Sequence, residues 1–124
     1  MRATIDEVWG AMSERELLRH AREGLDDRGF VVWHVVDSRL LAAGLPDVIA
    51  YAPSLPGLLL LWELKTGRGR LRAAQTRALA HLRSVPGVDA RIVRPADLPW
   101  LLAALDGDDP IAALASVPDG ERAR

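Results

Sequence analysis

Asp47, Glu63 and Lys65 are the residues whose types and spacing could do chemistry. Residues 58–70 read LLLLWELKTGRGR, an apolar run that goes straight into a glutamate and a lysine two positions apart. In a strand, residues two apart face the same side, so Glu63 and Lys65 point together, opposite to Trp62 and Leu64. Asp47 opens the preceding apolar run, DVIAYA, and a hairpin closing through residues 53–57 would make Asp47 and Glu63 close cross-strand neighbours. Two carboxylates at strand ends repel one another, and a bound divalent cation removes that cost and turns the pair into a site. Oxygen ligands of this kind suit Mg²⁺ or Mn²⁺ better than zinc or copper. The lysine beside them can face developing negative charge, or orient a water and help deprotonate it.

Two further polar residues fall on apolar helix faces. Glu14 projects onto the core face of a first helix, and Gln75 lies inside the apolar stripe of a second. Burying an unpartnered amide costs on the order of 1–3 kcal/mol, and burying a charge costs more. Both are therefore expected to face the Asp47–Glu63–Lys65 cluster, Glu14 on a metal or its water and Gln75 on the attacking water or a phosphate. Arg68, Arg70, Arg72 and Arg77 follow, with Gly67 and Gly69 allowing close backbone approach. An arginine-rich loop beside a hard-cation site suits a phosphodiester. Plainer accounts stand beside each residue: a Glu63–Lys65 salt bridge, a solvated arginine face, a Glu14 favoured by the helix dipole. His34 reads more readily as strand filler than as a ligand.

Bulk properties narrow the classes. A chain of 124 residues fits one domain, and its net charge of −1 gives no global basic field, so any nucleic-acid contact must use a local patch. Cysteine is absent, which excludes disulfides, thiolate metal sites and cysteine nucleophiles and agrees with a reducing cytoplasm. The longest apolar run, 58–62, falls far short of the roughly 20 residues that cross a membrane. The first ten residues lack the apolar stretch of a signal peptide. The expectation is a soluble, intracellular, cytoplasmic protein.

The elements that must hold the cluster follow from pattern. Ser13-x-x-Glu16 is a capping box, opening a helix that runs to about Arg28 and stops at Gly29. Residues 30–36 (FVVWHVV) read as a buried strand, 47–52 as a second and 58–65 as a third, hairpin-paired with the second. A helix over 71–84, a strand over 89–94 and a helix over 95–105 complete the order α-β-β-β-α-β-α. The fold class is α/β, helices on a small mixed sheet. One domain over 1–105 is expected, with an acidic, Pro/Gly-punctuated tail over 106–124 that holds a short helix at most.

Gly44-Leu45-Pro46-Asp47 followed by Glu63-Leu64-Lys65 resembles the Pro-Asp…Glu-x-Lys signature of the PD-(D/E)XK nuclease superfamily. Gly67-Arg68-Gly69-Arg70-Leu71, Gln75 and the closing Arg91-Ile92-Val93-Arg94-Pro95 are similar to a stand-alone VRR-NUC domain of phage and bacterial type. Ser13-Glu14-Arg15-Glu16 with Gly29-Phe30-Val31-Val32 is also similar to the opening of archaeal Holliday-junction resolvases, in which the first glutamate is catalytic. The helix here is about a turn longer before its glycine, and His34 falls where the resolvases carry a basic residue. The resemblance implies a restriction-endonuclease-like αβββαβ core and Mg²⁺- or Mn²⁺-dependent hydrolysis of DNA, often by a homodimer acting on branched or structured DNA. It implies metal ligation by Asp47, Glu63 and the Leu64 carbonyl with Glu14, catalysis by these with Lys65 and Gln75, and nucleic-acid contacts from Arg15, His34, Arg39, Arg68, Arg70, Arg72 and Arg77. A catalytically silent DNA-binding or assembly subunit on the same core is the rival reading.

Overall fold

Leu17, Ala21 and Leu25 share one face of helix α1 (Glu14–Asp27), and burying them seats the helix on the sheet. Its start is the expected capping box: the Ser13 hydroxyl accepts from the Glu16 N–H at 3.1 Å, and the Glu16 carboxylate accepts from Ser13. Its end is a glycine turn. Gly29 takes φ +82°, and the Gly29 and Phe30 N–H groups donate back to the Asp26 and Leu25 carbonyls. The computed structural model describes residues 12–35, 44–67 and 70–118.

Strands β1 (Val31–His34), β2 (Val48–Tyr51), β3 (Leu59–Leu64) and β4 (Val88–Val93) form one four-stranded sheet in the order β1-β2-β3-β4. The first three strands are antiparallel neighbours, and β4 lies parallel to β3. Parallel pairing requires a crossover, supplied by helix α2 (Ala73–Leu82). A 3₁₀ turn (Pro95–Asp97) leads into α3 (Leu98–Leu105), and α4 (Pro110–Ser116) follows. The fold is α/β, a mixed sheet with helices against both faces, and the element order is the one expected.

The core divides by sheet face. On one side Leu17, Ala21 and Leu25 of α1, Leu98, Leu101 and Leu105 of α3, and Leu114 of α4 meet Val48, Ala50, Leu60, Trp62 and Val93. Each fully buried leucine contributes about 1.5–3 kcal/mol. On the other side Leu79 of α2 packs on Leu61, Ala90 and Ile92, with Ile49, Leu59 and Val88 at the margin. β3 is covered on both faces, which is why it reads as an unbroken apolar run.

Three expectations change. The strand expected over 30–36 is an edge strand over Val31–His34 rather than a buried one: Val31 is 39% and Trp33 53% exposed, while Val32 packs on the core, and residue 36 lies outside the described residues. The expected helix over 95–105 begins as the 3₁₀ turn, Arg94 N–H donating to the Asp97 carboxylate. The short helix expected after residue 105 is present as α4, but its Leu114 enters the main core, so the packed unit extends past residue 105. Residues 119–124 lie outside the described residues. Among the described residues no helix is long and apolar enough to cross a membrane.

Candidate active site

Val48 pairs with Trp62 across the β2–β3 ladder. One step further this antiparallel register sets Asp47 opposite Glu63, at the end of β2 where the chain enters and the end of β3 where it leaves. Two local features hold Asp47 there. Its carbonyl accepts from the Val35 N–H at 2.8 Å, extending the pairing with β1, and its Oδ2 accepts from the Leu64 N–H at 2.8 Å. The loop leading in depends on Gly44, which takes φ +87° and lies so close to α2 that a Cβ would stand 2.7 Å from the Ala74 carbonyl oxygen. The 44–47 loop is thereby pinned against α2.

Glu63 is 3% exposed, a carboxyl inside the molecule. Burial, then a hydrogen bond that Glu63 donates to Asp47 and the charge of Asp47, push its pKa up to about 9. Lys65 works in the opposite direction and Glu14 in the same direction as Asp47. The Lys65 Nζ stands 4.0 Å from Glu63 Oε1, an ion-pair distance too long for a hydrogen bond, and its charge offsets only part of the rise. A simple salt bridge therefore does not account for the pair. A buried carboxyl and a half-buried one thus share the site, and the upward shift favours a proton held between them.

A cleft of about 180 Å³ opens beside the pair, lined by Glu14, Arg15, Leu18, His34, Asp47 and Leu64. Glu14, the first residue of α1, is exposed at this cleft rather than buried on the core face as expected. It shares the cleft lining with Asp47, and its charge acts on Glu63 in the same direction. Gln75 differs more. Its side-chain oxygen accepts from the Arg72 N–H at 2.8 Å, capping the start of α2, and the amide is half-buried there. A local cap thus satisfies the group that was expected to turn toward the cluster. Arg70, Arg72 and Arg77 are exposed along the entry to α2 and its surface. Arg39 and Arg68 lie outside the described residues. The chain matches no family model, no curated protein and no solved structure.

The donor set defines what cation could fit. Among the described residues no three His, Cys, Asp or Glu side chains converge as a metal cluster. Asp47 and Glu63 form a two-carboxylate set, with Glu14 across the cleft. Zinc, which takes three or four protein ligands, is poorly served. Mg²⁺ keeps several of its waters and is held by one or two carboxylates, which these residues can supply.

Pattern reading missed a second polar cluster. Arg91, 5% exposed, donates through Nε to Asp89 at 2.9 Å, and through its Nη atoms to the carbonyls of Leu114 (2.7 Å) and Val117 (2.9 Å). Trp62 Nε1 donates to the same Asp89 carboxylate at 2.8 Å. Alternation along β4 does carry a signal, since Asp89, Arg91 and Val93 share one face and a charged pair on a core face requires partners. This cluster clamps α4 to the sheet and lies away from the cleft residues.

Proposed function

We propose that this chain is a small metal-dependent endonuclease of the PD-(D/E)XK type, close to VRR-NUC domains, that hydrolyses phosphodiester bonds in DNA and prefers branched or otherwise structured DNA. The observation that carries the reading is the pair of hydrogen-bonded carboxyls, Asp47 and Glu63, at the ends of adjacent strands with Lys65 beside them. A carboxyl held far above its ordinary pKa by burial first and a neighbouring carboxylate second is costly to ionise without a cation, which supports a site shaped for one. Mg²⁺ or Mn²⁺ there would polarise the phosphate and lower the pKa of a bound water. Asp47 and Glu63 would hold it, with the Leu64 carbonyl and Glu14 in support. Lys65, 16% exposed at its side chain, would offer its ammonium to the charge that builds on the phosphate oxygens. Arg15 and His34 line the cleft where the backbone of the substrate would pass, and Arg70 and Arg72 extend a cationic margin toward α2. In this reading the partners are DNA and a second copy of the chain, and the protein works in the cytoplasm of a bacterial or phage-infected cell.

Lys65→Ala tests the assignment of roles. The variant should bind a labelled four-way junction or flap within about threefold of the parent and lose cleavage by about 10²-fold or more, the range for removal of one group that stabilises transition-state charge. Electrophoretic mobility shifts and single-turnover cleavage in Mg²⁺ read the two quantities. Equal loss of binding and cleavage would make Lys65 a binding residue only. Tight binding by the parent with no cleavage in either metal would favour the silent DNA-binding subunit.

A further inference from the structure

Helix α2 covers only part of its sheet face. Over β3 and β4 it buries Leu61, Ala90 and Ile92, whereas over β1 and β2 the same face leaves Val31, Trp33 and Tyr51 at 39%, 53% and 37% exposure. Trp33 pairs with Ile49 and Val31 with Tyr51, so Trp33 and Tyr51 are diagonal neighbours, their ring centroids 5.4 Å apart and tilted by 47°. Strand alternation puts Asp47, Ile49 and Tyr51 on one side of β2, and Leu59, Leu61 and Glu63 on the same side of β3. The exposed aromatic pair and the acidic pair therefore occupy one face. Trp33 lies opposite Ile49, two residues from Asp47, or about 7 Å along the strand.

We propose that Trp33 and Tyr51 form a stacking platform for unpaired nucleobases next to the scissile phosphate, so that the substrate carries single-stranded nucleotides at the cleavage point. This rests on the nuclease reading above and specifies its substrate. The platform is continuous with the strands that carry Asp47, and residues 31–35 and 48–52 themselves hold no acidic side chain. Exposed Arg70 and Arg72 lead into helix α2, which packs on that same face over β3 and β4. Aromatic side chains on which successive bases stack are how single strands are held without sequence preference. A second copy of the chain is the poorer occupant. Three partly exposed side chains offer roughly 200–300 Å² from large-residue areas of 150–250 Å², against the ~800 Å² per partner of a stable interface.

The test compares the parent with Trp33→Ala, Trp33→Phe and Tyr51→Ala, using one labelled sequence as a single strand, a splayed-arm duplex and a blunt duplex, in EDTA. Far-ultraviolet circular dichroism checks that each variant is folded. Trp33→Ala should bind the single strand and splayed arm about 5–150-fold more weakly, the equivalent of one lost base stack, and the blunt duplex within twofold. Trp33→Phe should recover most of the affinity. Unchanged single-strand affinity in Trp33→Ala overturns the platform, as does a parent that binds no single strand. So does a patch whose loss changes sedimentation but not single-strand binding, which would mark it as a contact between copies. Metal-dependent cleavage is scored separately on the same substrates. If the platform holds and cleavage is absent, the nuclease reading has failed alone; if cleavage persists without any Trp33 dependence, the platform has failed alone.

Discussion

Lowering the pH from 8 to 6 should weaken Mn²⁺ binding about 100-fold, because one proton must leave the acidic pair before a cation can enter. Glu63 carries that proton. Its pKa is pushed up to about 9 by burial first and by Asp47 second, so the whole range lies below it and each pH step of one costs about tenfold. Calorimetric titrations in buffers of different ionisation enthalpy should show one proton released per ion. Glu63→Gln should bind no ion at any pH. An affinity that does not change with pH would mean that the pair is not the ligand set. The same shift has a consequence for the metal-free protein. Folding raises the Glu63 carboxyl from 4.5 to about 9, so between these values the native state binds more protons than the unfolded chain. Stability from this group is complete below pH 4.5, declines as pH rises and is gone above about 9. Glu63→Gln should flatten that part of the stability–pH profile.

Arg91→Ala should destabilise the fold by about 3–5 kcal/mol, the cost of removing one member of a buried ion pair. The guanidinium holds Asp89 from one side while Trp62 holds it from the other, and its remaining donors satisfy the Leu114 and Val117 carbonyls at the end of α4. Alanine would leave a carboxylate, 12% exposed at its side chain, without its cation, and two carbonyls without donors. A positive charge at a helix C-terminus also complements the dipole of α4. Arg91→Lys should recover only part of the loss, since an ammonium cannot reproduce the planar fork. Urea denaturation measures both variants, and limited proteolysis should find α4 released first. A loss below 1 kcal/mol for Arg91→Ala would show that the cluster is not fully desolvated.

Much of this architecture is legible along the chain because local chemistry dictates it. Ser13 and Glu16 close their capping box within one turn, and Gly29 accepts a left-handed conformation that other residues resist. The alternation of Asp47, Ile49 and Tyr51 against Leu61 and Glu63 fixes the hairpin register, and with it the meeting of the two carboxyls. What stays hidden depends on neighbours distant in sequence. FVVWHVV is as apolar as a central strand, and only its place at the sheet edge leaves Trp33 in solvent. Gln75 looks misplaced on a helical wheel until the Arg72 N–H beside it proves to need an acceptor, a cap that an arginine at that position does not advertise. Glu14 sits on the expected side of α1 but in its first turn, beyond the edge of the core, so it meets the cleft instead of the interior.

The most direct test of the central claim is cleavage of labelled single-stranded, duplex, flap, splayed-arm and four-way-junction DNA, in Mg²⁺, in Mn²⁺ and in EDTA, by the parent and by Asp47→Ala. The account predicts cutting of at least one structured substrate that requires the metal and falls by about 10³-fold or more in the variant, since Asp47 would supply a ligand and also accepts from the Leu64 N–H. Cutting that survives EDTA, or that Asp47→Ala retains, would contradict it.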